Sequence, residues 1–223
     1  MMSSYFLSSW TRRGRMSEMF VIFLLGLTAL LDTSAVNECL DSTDTDRCQT
    51  DADGLLYLRS CGISDADLDD LASCLEAAGP ETIVYLSLSS NDLTDLPEGI
   101  FGGLTALEWL YLYSNDLTDL TEGIFQNTTG LQFLDLSGNQ LELTTLPEGL
   151  FQNTAGLQYL DLSANELTTL PEGIFGGLAA LGYLHLNDNN LTTLPEGIFQ
   201  GLPALTRLRL DGNSLECLPS TTL

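Results

Sequence analysis

One histidine, His185, stands among 31 acidic residues and seven basic ones, and all seven basic residues are arginine. With one imidazole and no lysine, His-cluster metal sites and lysine nucleophiles are excluded, so no enzyme, metal centre or cofactor is expected. Asp51-Ala-Asp53-Gly54 matches part of a calcium loop. Aligned on Gly54, however, the first ligand place is Gln49 and the closing glutamate place is Ser60, so the match fails. Weak surface calcium binding by so acidic a chain stays open. Glu98, Glu122, Glu148, Glu172 and Glu196 form a row that reads as a solvated face. The remaining chemistry lies in tyrosine, tryptophan and arginine, which bind rather than catalyse. What positions them is the question.

The positioning element is a repeat. Aligned asparagines fall at Asn91, Asn115, Asn139, Asn165, Asn189 and Asn213, at steps of 24, 24, 26, 24 and 24 residues. Each follows a leucine pair: Leu86/Leu88, Leu110/Leu112, Leu134/Leu136, Leu160/Leu162, Leu184/Leu186 and Leu208/Leu210. The template is L-x-x-L-x-L-x-x-N-x-L-x-x-L-P-x-G-I-F-x-x-L-x-x. In x-L-x-L-x the side chains alternate, so the leucines face one way and the x residues the other. One short strand cannot bury an apolar face alone, but stacked strands build a continuous parallel sheet over a shared core. Each Asn sits where the chain leaves its strand, and its amide can both donate and accept to backbone left unpaired by the turn. Pro97, Pro147, Pro171 and Pro195 fix the return stroke, with Thr121 as the exception. Phe101, Phe125, Phe151, Phe175 and Phe199 are expected to stack beneath the convex side. Glu142 and Leu143, the two extra residues of the long step, read as a bulge on the return stroke.

This frame resembles the extracellular leucine-rich repeat of the 24-residue type, and "LPEGIF" is similar to modules of variable lymphocyte receptors. The resemblance covers residues 83–215. It implies an α/β solenoid: a curved parallel sheet on the concave side, loops and short helical turns on the convex side. The implied role is recognition or adhesion, of the innate-defence or receptor-like kind. Before these six repeats, "LYLRSCGI" fits a degenerate copy with Cys61 in the Asn place. "SDADLDDLASCLEAAG" then reads as the one true helix, with Ser64 as cap and Leu68, Leu71, Cys74 and Leu75 on one face.

The x residues form columns on the concave face. One column holds Tyr85, Trp109, Phe133, Tyr159, Tyr183 and Arg207. The next holds Tyr57, Ser87, Tyr111, Asp135, Asp161, His185 and Arg209, and the third runs from Arg59 and Ser89 through Tyr113 to Asp211. Beyond residue 35 the chain has 13 aromatics; five are the stacked phenylalanines and the other eight all lie in these columns. Only three acids do: Asp135, Asp161 and Asp211. Tyr, Trp and Arg are the types enriched at binding hot spots. The face is therefore the candidate ligand site, comprising Tyr85, Trp109, Tyr111, Tyr113, Phe133, Asp135, Tyr159, Asp161, Tyr183, His185, Arg207 and Arg209. The plain alternative is that aromatics on strands roughly 4.8 Å apart merely stack and stiffen the sheet. Because these side chains leave the leucine core untouched, their truncation is expected to spare folding.

Residues 1–35 read as a secretory signal peptide: Arg12, Arg13 and Arg15, then the apolar run Met19–Leu31, then small residues before a cut after Ala35. Thirteen apolar residues fall short of the roughly 20 that span a bilayer, so no membrane insertion is expected. Without that segment four arginines face 29 acids, a formal charge of −25, which disfavours nucleic acid and anionic lipid. Residues 36–82 form a Cys-containing N-terminal cap. Its Cys39, Cys48, Cys61 and Cys74 allow three pairings, of which the most local is Cys39–Cys48 with Cys61–Cys74; two buried thiols are the alternative for the second pair. Residues 216–223 form a short or truncated C-terminal cap. The resemblance implies a cap cysteine at Cys217, which lacks an obvious partner and is a candidate for a disulfide-linked dimer. Asn127 and Asn190 begin glycosylation sequons off the strand face. The expected partner is a protein ligand, with a glycan or a structural matrix or cell-wall role as alternatives.

Overall fold

The computed structural model describes residues 50–140 and 146–216, all within the unit Glu38–Leu223. Seven three-residue strands carry the chain: β1 (Leu55–Tyr57), β2 (Tyr85–Ser87), β3 (Trp109–Tyr111), β4 (Phe133–Asp135), β5 (Tyr159–Asp161), β6 (Tyr183–His185) and β7 (Arg207–Arg209). They pair in parallel and in sequence order to form a single-sheet solenoid. The central leucines stay in register from Leu56 through Leu86, Leu110, Leu134, Leu160 and Leu184 to Leu208. The 26-residue step leaves this intact, since Phe133 still pairs Tyr159. The Glu142/Leu143 bulge itself lies outside the described residues.

The leucine pairs from Leu86/Leu88 through Leu184/Leu186 are fully buried, and each such side chain contributes roughly 1.5–3 kcal/mol by leaving water. On the convex side the phenylalanines stack nearly parallel: Phe101 on Phe125 at 6.4 Å, Phe125 on Phe151 at 6.2 Å, and Phe175 on Phe199 at 6.4 Å. The return stroke tightens into three-residue turns. Ile100 N–H donates to Pro97 O, and Ile124 N–H makes the same bond to Thr121 O, so threonine replaces proline without changing the turn.

The asparagines form the ladder. Asn139 Nδ2 donates to Leu112 O of the preceding repeat at 3.1 Å and to Leu136 O of its own at 3.0 Å. Its Oδ1 accepts from Leu117 N at 3.2 Å. Asn91, Asn115, Asn189 and Asn213 also donate to leucine carbonyls of both repeats, as does Asn165. At the degenerate repeat Cys61 takes the Asn place, and its N–H donates to Asn91 Oδ1. Every ladder residue follows one in the left-handed region: Ser60, Ser90, Ser114, Gly138, Ala164, Asp188 and Gly212, with φ between 53° and 73°. That conformation turns the chain off the strand and aims the amide inward. Five of the seven are non-glycine and accept a local cost of about 1–2 kcal/mol each. At Gly212 an added Cβ would meet the Asp188 carboxylate and lie 3.0 Å from Asp188 N, so a side chain there requires Asp188 to shift.

Helix α1 (Leu68–Ala77) follows a short 3-10 turn, Asp65–Asp67, and buries Leu71, Cys74 and Leu75. Ser64 opens the turn, donating its N–H and Oγ to the Asp67 carboxylate at 2.8 and 2.7 Å. Cys61 and Cys74 are disulfide-bonded cysteines. Cys39, Cys48 and Cys217 lie outside the described residues, as does the whole of 1–35. No helix among the described residues is long and apolar enough to cross a membrane.

Candidate functional site: the concave sheet face

The strands bring all twelve expected site residues onto the sheet face opposite the leucine core. Over β1–β4 the one ring contact within a column is Tyr85 edge-on to Trp109 at 6.5 Å, and the closer contacts run between columns. They zigzag between the first column and the second. Tyr57 packs on Tyr85 at 4.9 Å, Tyr85 on Tyr111 at 5.1 Å, and Tyr111 on Phe133 at 4.7 Å. Phe133 then lies parallel to Tyr159 at 4.4 Å. The cause is Ser87, which is too small to separate Tyr57 from Tyr111, so Tyr85 leans into the space above it. The Ser87 and Ser89 hydroxyls pair at 2.9 Å, buried beneath these rings. Arg59 reaches over the same gap, its Cζ 5.6 Å from the Tyr113 ring centroid.

This packing corrects two expectations. Tyr85 and Phe133 are only 7% and 9% exposed, so they support the face from beneath rather than offering contact surface. Truncating Tyr111, wedged between them and edge-on to Tyr113, removes stacking and will not spare folding. Trp109, Tyr111, Tyr113, Tyr159 and Tyr183 are half-buried, and Tyr57, Arg207 and Arg209 are exposed. Tyr57, outside the expected site, has the largest open aromatic surface at 53%. Arg209 is held in a bidentate pair with Asp211, at 3.1 and 2.7 Å.

The polar centre lies on β4–β6, where Asp135, Asp161 and His185 are neighbours in one row. Asp161 is saturated. Its Oδ1 accepts from Ser163 N–H and Oγ at 2.9 and 2.5 Å, and its Oδ2 from the Tyr159 hydroxyl and His185 Nδ1 at 2.9 and 3.0 Å. Burial alone would raise its pKa, but the His185, Ser163 and Tyr159 bonds outweigh that and hold it below the usual value. Asp135 repeats the Asp-Leu-Ser pattern with fewer partners: Oδ1 accepts from Ser137 N–H at 3.0 Å and Oγ at 2.6 Å. Burial, reinforced by the charge of Asp161, pushes it up to about 6. Burial also raises the Tyr85, Tyr111 and Tyr159 phenols. Two buried polar atoms on this face, His185 Nε2 and Asn187 Oδ1, have no hydrogen-bond partner. Ser137 and Ser163 were absent from the expected site, although their spacing two residues after each Asp is legible in the sequence.

Away from this face Glu98, Glu122, Glu148, Glu172 and Glu196 are all exposed, as a solvated row should be. The sequon residues Asn127 and Asn190 are exposed as well. Among the described residues no group of three or more His, Cys, Asp or Glu is placed to hold a metal ion.

A parallel repeat sheet with a ladder of asparagines defines a solenoid scaffold, a class that is typically non-enzymatic and works by binding. The leucine rich repeat pattern matches residues 81–141, 142–191 and 156–215, and again 130–153. These matches run from 81 to 215, more than half of the 223 residues, and the chain belongs to the leucine-rich repeat family. Such repeats mark a protein–protein interaction module. No curated protein matches the chain.

Proposed function

We propose that the protein is a secreted recognition module that binds a protein ligand through its concave aromatic face. The observation carrying this reading is the run of touching aromatic rings across β1–β3, from exposed Tyr57 through Tyr85 to half-buried Trp109, Tyr111 and Tyr113, on a chain whose charge is −24. Contiguous exposed apolar surface rimmed by polar groups marks interaction sites. Tyr85 braces Tyr57 and Trp109, Tyr111 braces Tyr113, and a braced aromatic loses little freedom on binding. Export rests on the signal-like segment of residues 1–35 and on the exposed sequons, whose glycans would leave the sheet face clear. The similarity to variable lymphocyte receptor modules favours a defence or adhesion role.

The test is capture from extracellular fluid by the secreted protein, run beside two variants. Ligands should be retained by Glu172→Ala on the convex side and lost from Trp109→Ala/Tyr113→Ala. The reverse pattern refutes the concave site. Ligands that prove to be glycans on an array refute the protein reading.

A further inference from the structure

We propose that Asp135 is an anchor for a cationic side chain of the ligand, a guanidinium above all, received beside the Tyr111 and Tyr159 rings. This rests on the concave-face reading and names the chemistry of its centre.

The placement comes first. Asp135 pairs in register with Tyr111 on β3 and Asp161 on β5, and Phe133 stands two residues earlier on the same face. Phe133 is stacked between Tyr111 and Tyr159, so aromatic surface borders the carboxylate on β3, β4 and β5. Rings that keep water from either side of the carboxylate strengthen its attraction for a cation.

The contrast between the two aspartates comes second. Both are buttressed by the serine two residues on, but Asp161 fills its other oxygen with Tyr159 and His185. Among the described residues no hydrogen-bond donor reaches Asp135 Oδ2. Nor is there a spare positive charge nearby. His185 is engaged by Asp161 and Arg209 by Asp211. The groups facing Asp135 are Tyr111 from β3, Tyr159 and Asp161 from β5, and His185 from β6. Burial lifts Asp135 to about 6, so at neutral pH an ionised carboxylate is kept where the fold favours the neutral acid. A charge held at such cost in an open face is a functional-site signature.

The donor deficit comes third. The buried polar atoms here without a partner are His185 Nε2 and Asn187 Oδ1, and the amide oxygen can only accept. Asp135 Oδ2 and Asn187 Oδ1 are therefore both acceptors without a donor. A guanidinium, with five donors in a planar fork, is the side chain that complements acceptors alone. The acidic surface would steer such a group inward.

The experiment is a carbon-13 titration of the Asp135 carboxyl in the secreted protein, with n-butylguanidinium at about 0.1 M, n-butylurea as its neutral isostere, and sodium chloride at equal ionic strength. The Asp135 midpoint should fall by about half a unit or more with the guanidinium alone. Tyr111, Phe133 and Tyr159 ring signals should shift with it. Asp135→Asn, which keeps an oxygen for Ser137, should abolish the ring shifts while its spectrum stays folded. An unchanged midpoint, an equal response to n-butylurea or sodium chloride, or ring shifts that survive Asp135→Asn overturns the proposal. Failure here is distinct from failure of the concave site. A ligand retained by Asp135→Asn but lost from Trp109→Ala/Tyr113→Ala removes the anchor and leaves the face.

Discussion

Replacing Asp135 by Asn should stabilise the fold at neutral pH, and the size of the effect follows from one carboxyl. Its ordinary pKa of 3.8 is raised to about 6 in the folded chain. At about 1.36 kcal/mol per unit, the difference sets an upper limit of roughly 3 kcal/mol on what ionised Asp135 costs folding at pH 7. The sign is that of a raised carboxylate: its contribution to stability is fully present below pH 3.8 and is lost as pH rises through about 6. Asp161 runs the other way. Its folded value is depressed, so its contribution is present above 3.8 and lost only as pH falls further. Between pH 4 and 7, then, Asp135 is the one of the pair that makes stability decline. Asparagine can keep the Ser137 bonds through its own oxygen but has no charge to desolvate. Urea unfolding of both proteins at intervals from pH 4 to pH 7.5 should give curves that nearly meet at the acid end. They should separate by about 1–3 kcal/mol at neutrality, with the variant the more stable. Parallel curves, or a variant that loses stability at pH 7, would refute the reasoning that burial without a cation strains this site.

Three further outcomes are expected. Asn139→Ala should cost about 1–3 kcal/mol in urea unfolding by stranding Leu112 O, Leu136 O and Leu117 N, whereas exposed Glu166→Ala should be near neutral; equal midpoints would remove the ladder argument. Gly138→Ala should cost about 1 kcal/mol through its φ of 62° alone, because the nearest atom to an added Cβ lies 3.6 Å away; a loss beyond about 3 kcal/mol would show the space to be tighter than it is drawn. Expressed in eukaryotic cells, the protein should reach the medium beginning at Val36, with a glycosidase-sensitive mobility that Asn127→Gln reduces; full-length retention in the cytosol would end the secretion proposal.

The frame was legible because its signals are periodic. Leucine spacing gave the sheet and its register. The Asn place foretold the ladder, and the phenylalanine interval foretold the convex stack. What the sequence did not disclose depends on contact between repeats. The left-handed residue before each ladder position is Ser, Gly, Ala or Asp, and no single residue type announces it. The zigzag of rings arises because Ser87 and Ser89 leave room for Tyr85 and Arg59 to lean across, a consequence of side-chain volume rather than of column identity. The inequality of Asp135 and Asp161 was legible only in part. Both precede a serine by two residues; the residue two before is Phe133 in one and Tyr159, with a hydroxyl to donate, in the other, while the contact of His185 comes from the next repeat. Treating every outward residue as contact surface was the error that followed, because outward rings can bury one another.

The central claim is that the concave face is where this leucine-rich repeat protein meets its ligand. Tyr111 packs against Tyr85, Tyr113 and Phe133, so the cleaner variant is Trp109→Ala/Tyr113→Ala, which removes two half-buried rings of the aromatic platform. Truncating anchors at an interface centre costs about 2 kcal/mol or more, roughly thirtyfold in Kd. The decisive measurement is the equilibrium Kd of the captured ligand for this variant, for Glu172→Ala and for the parent protein. The account predicts at least about a thirtyfold weakening for the concave variant and an unchanged Kd for Glu172→Ala. A concave variant that binds like the parent, with binding lost on the convex side, would contradict it.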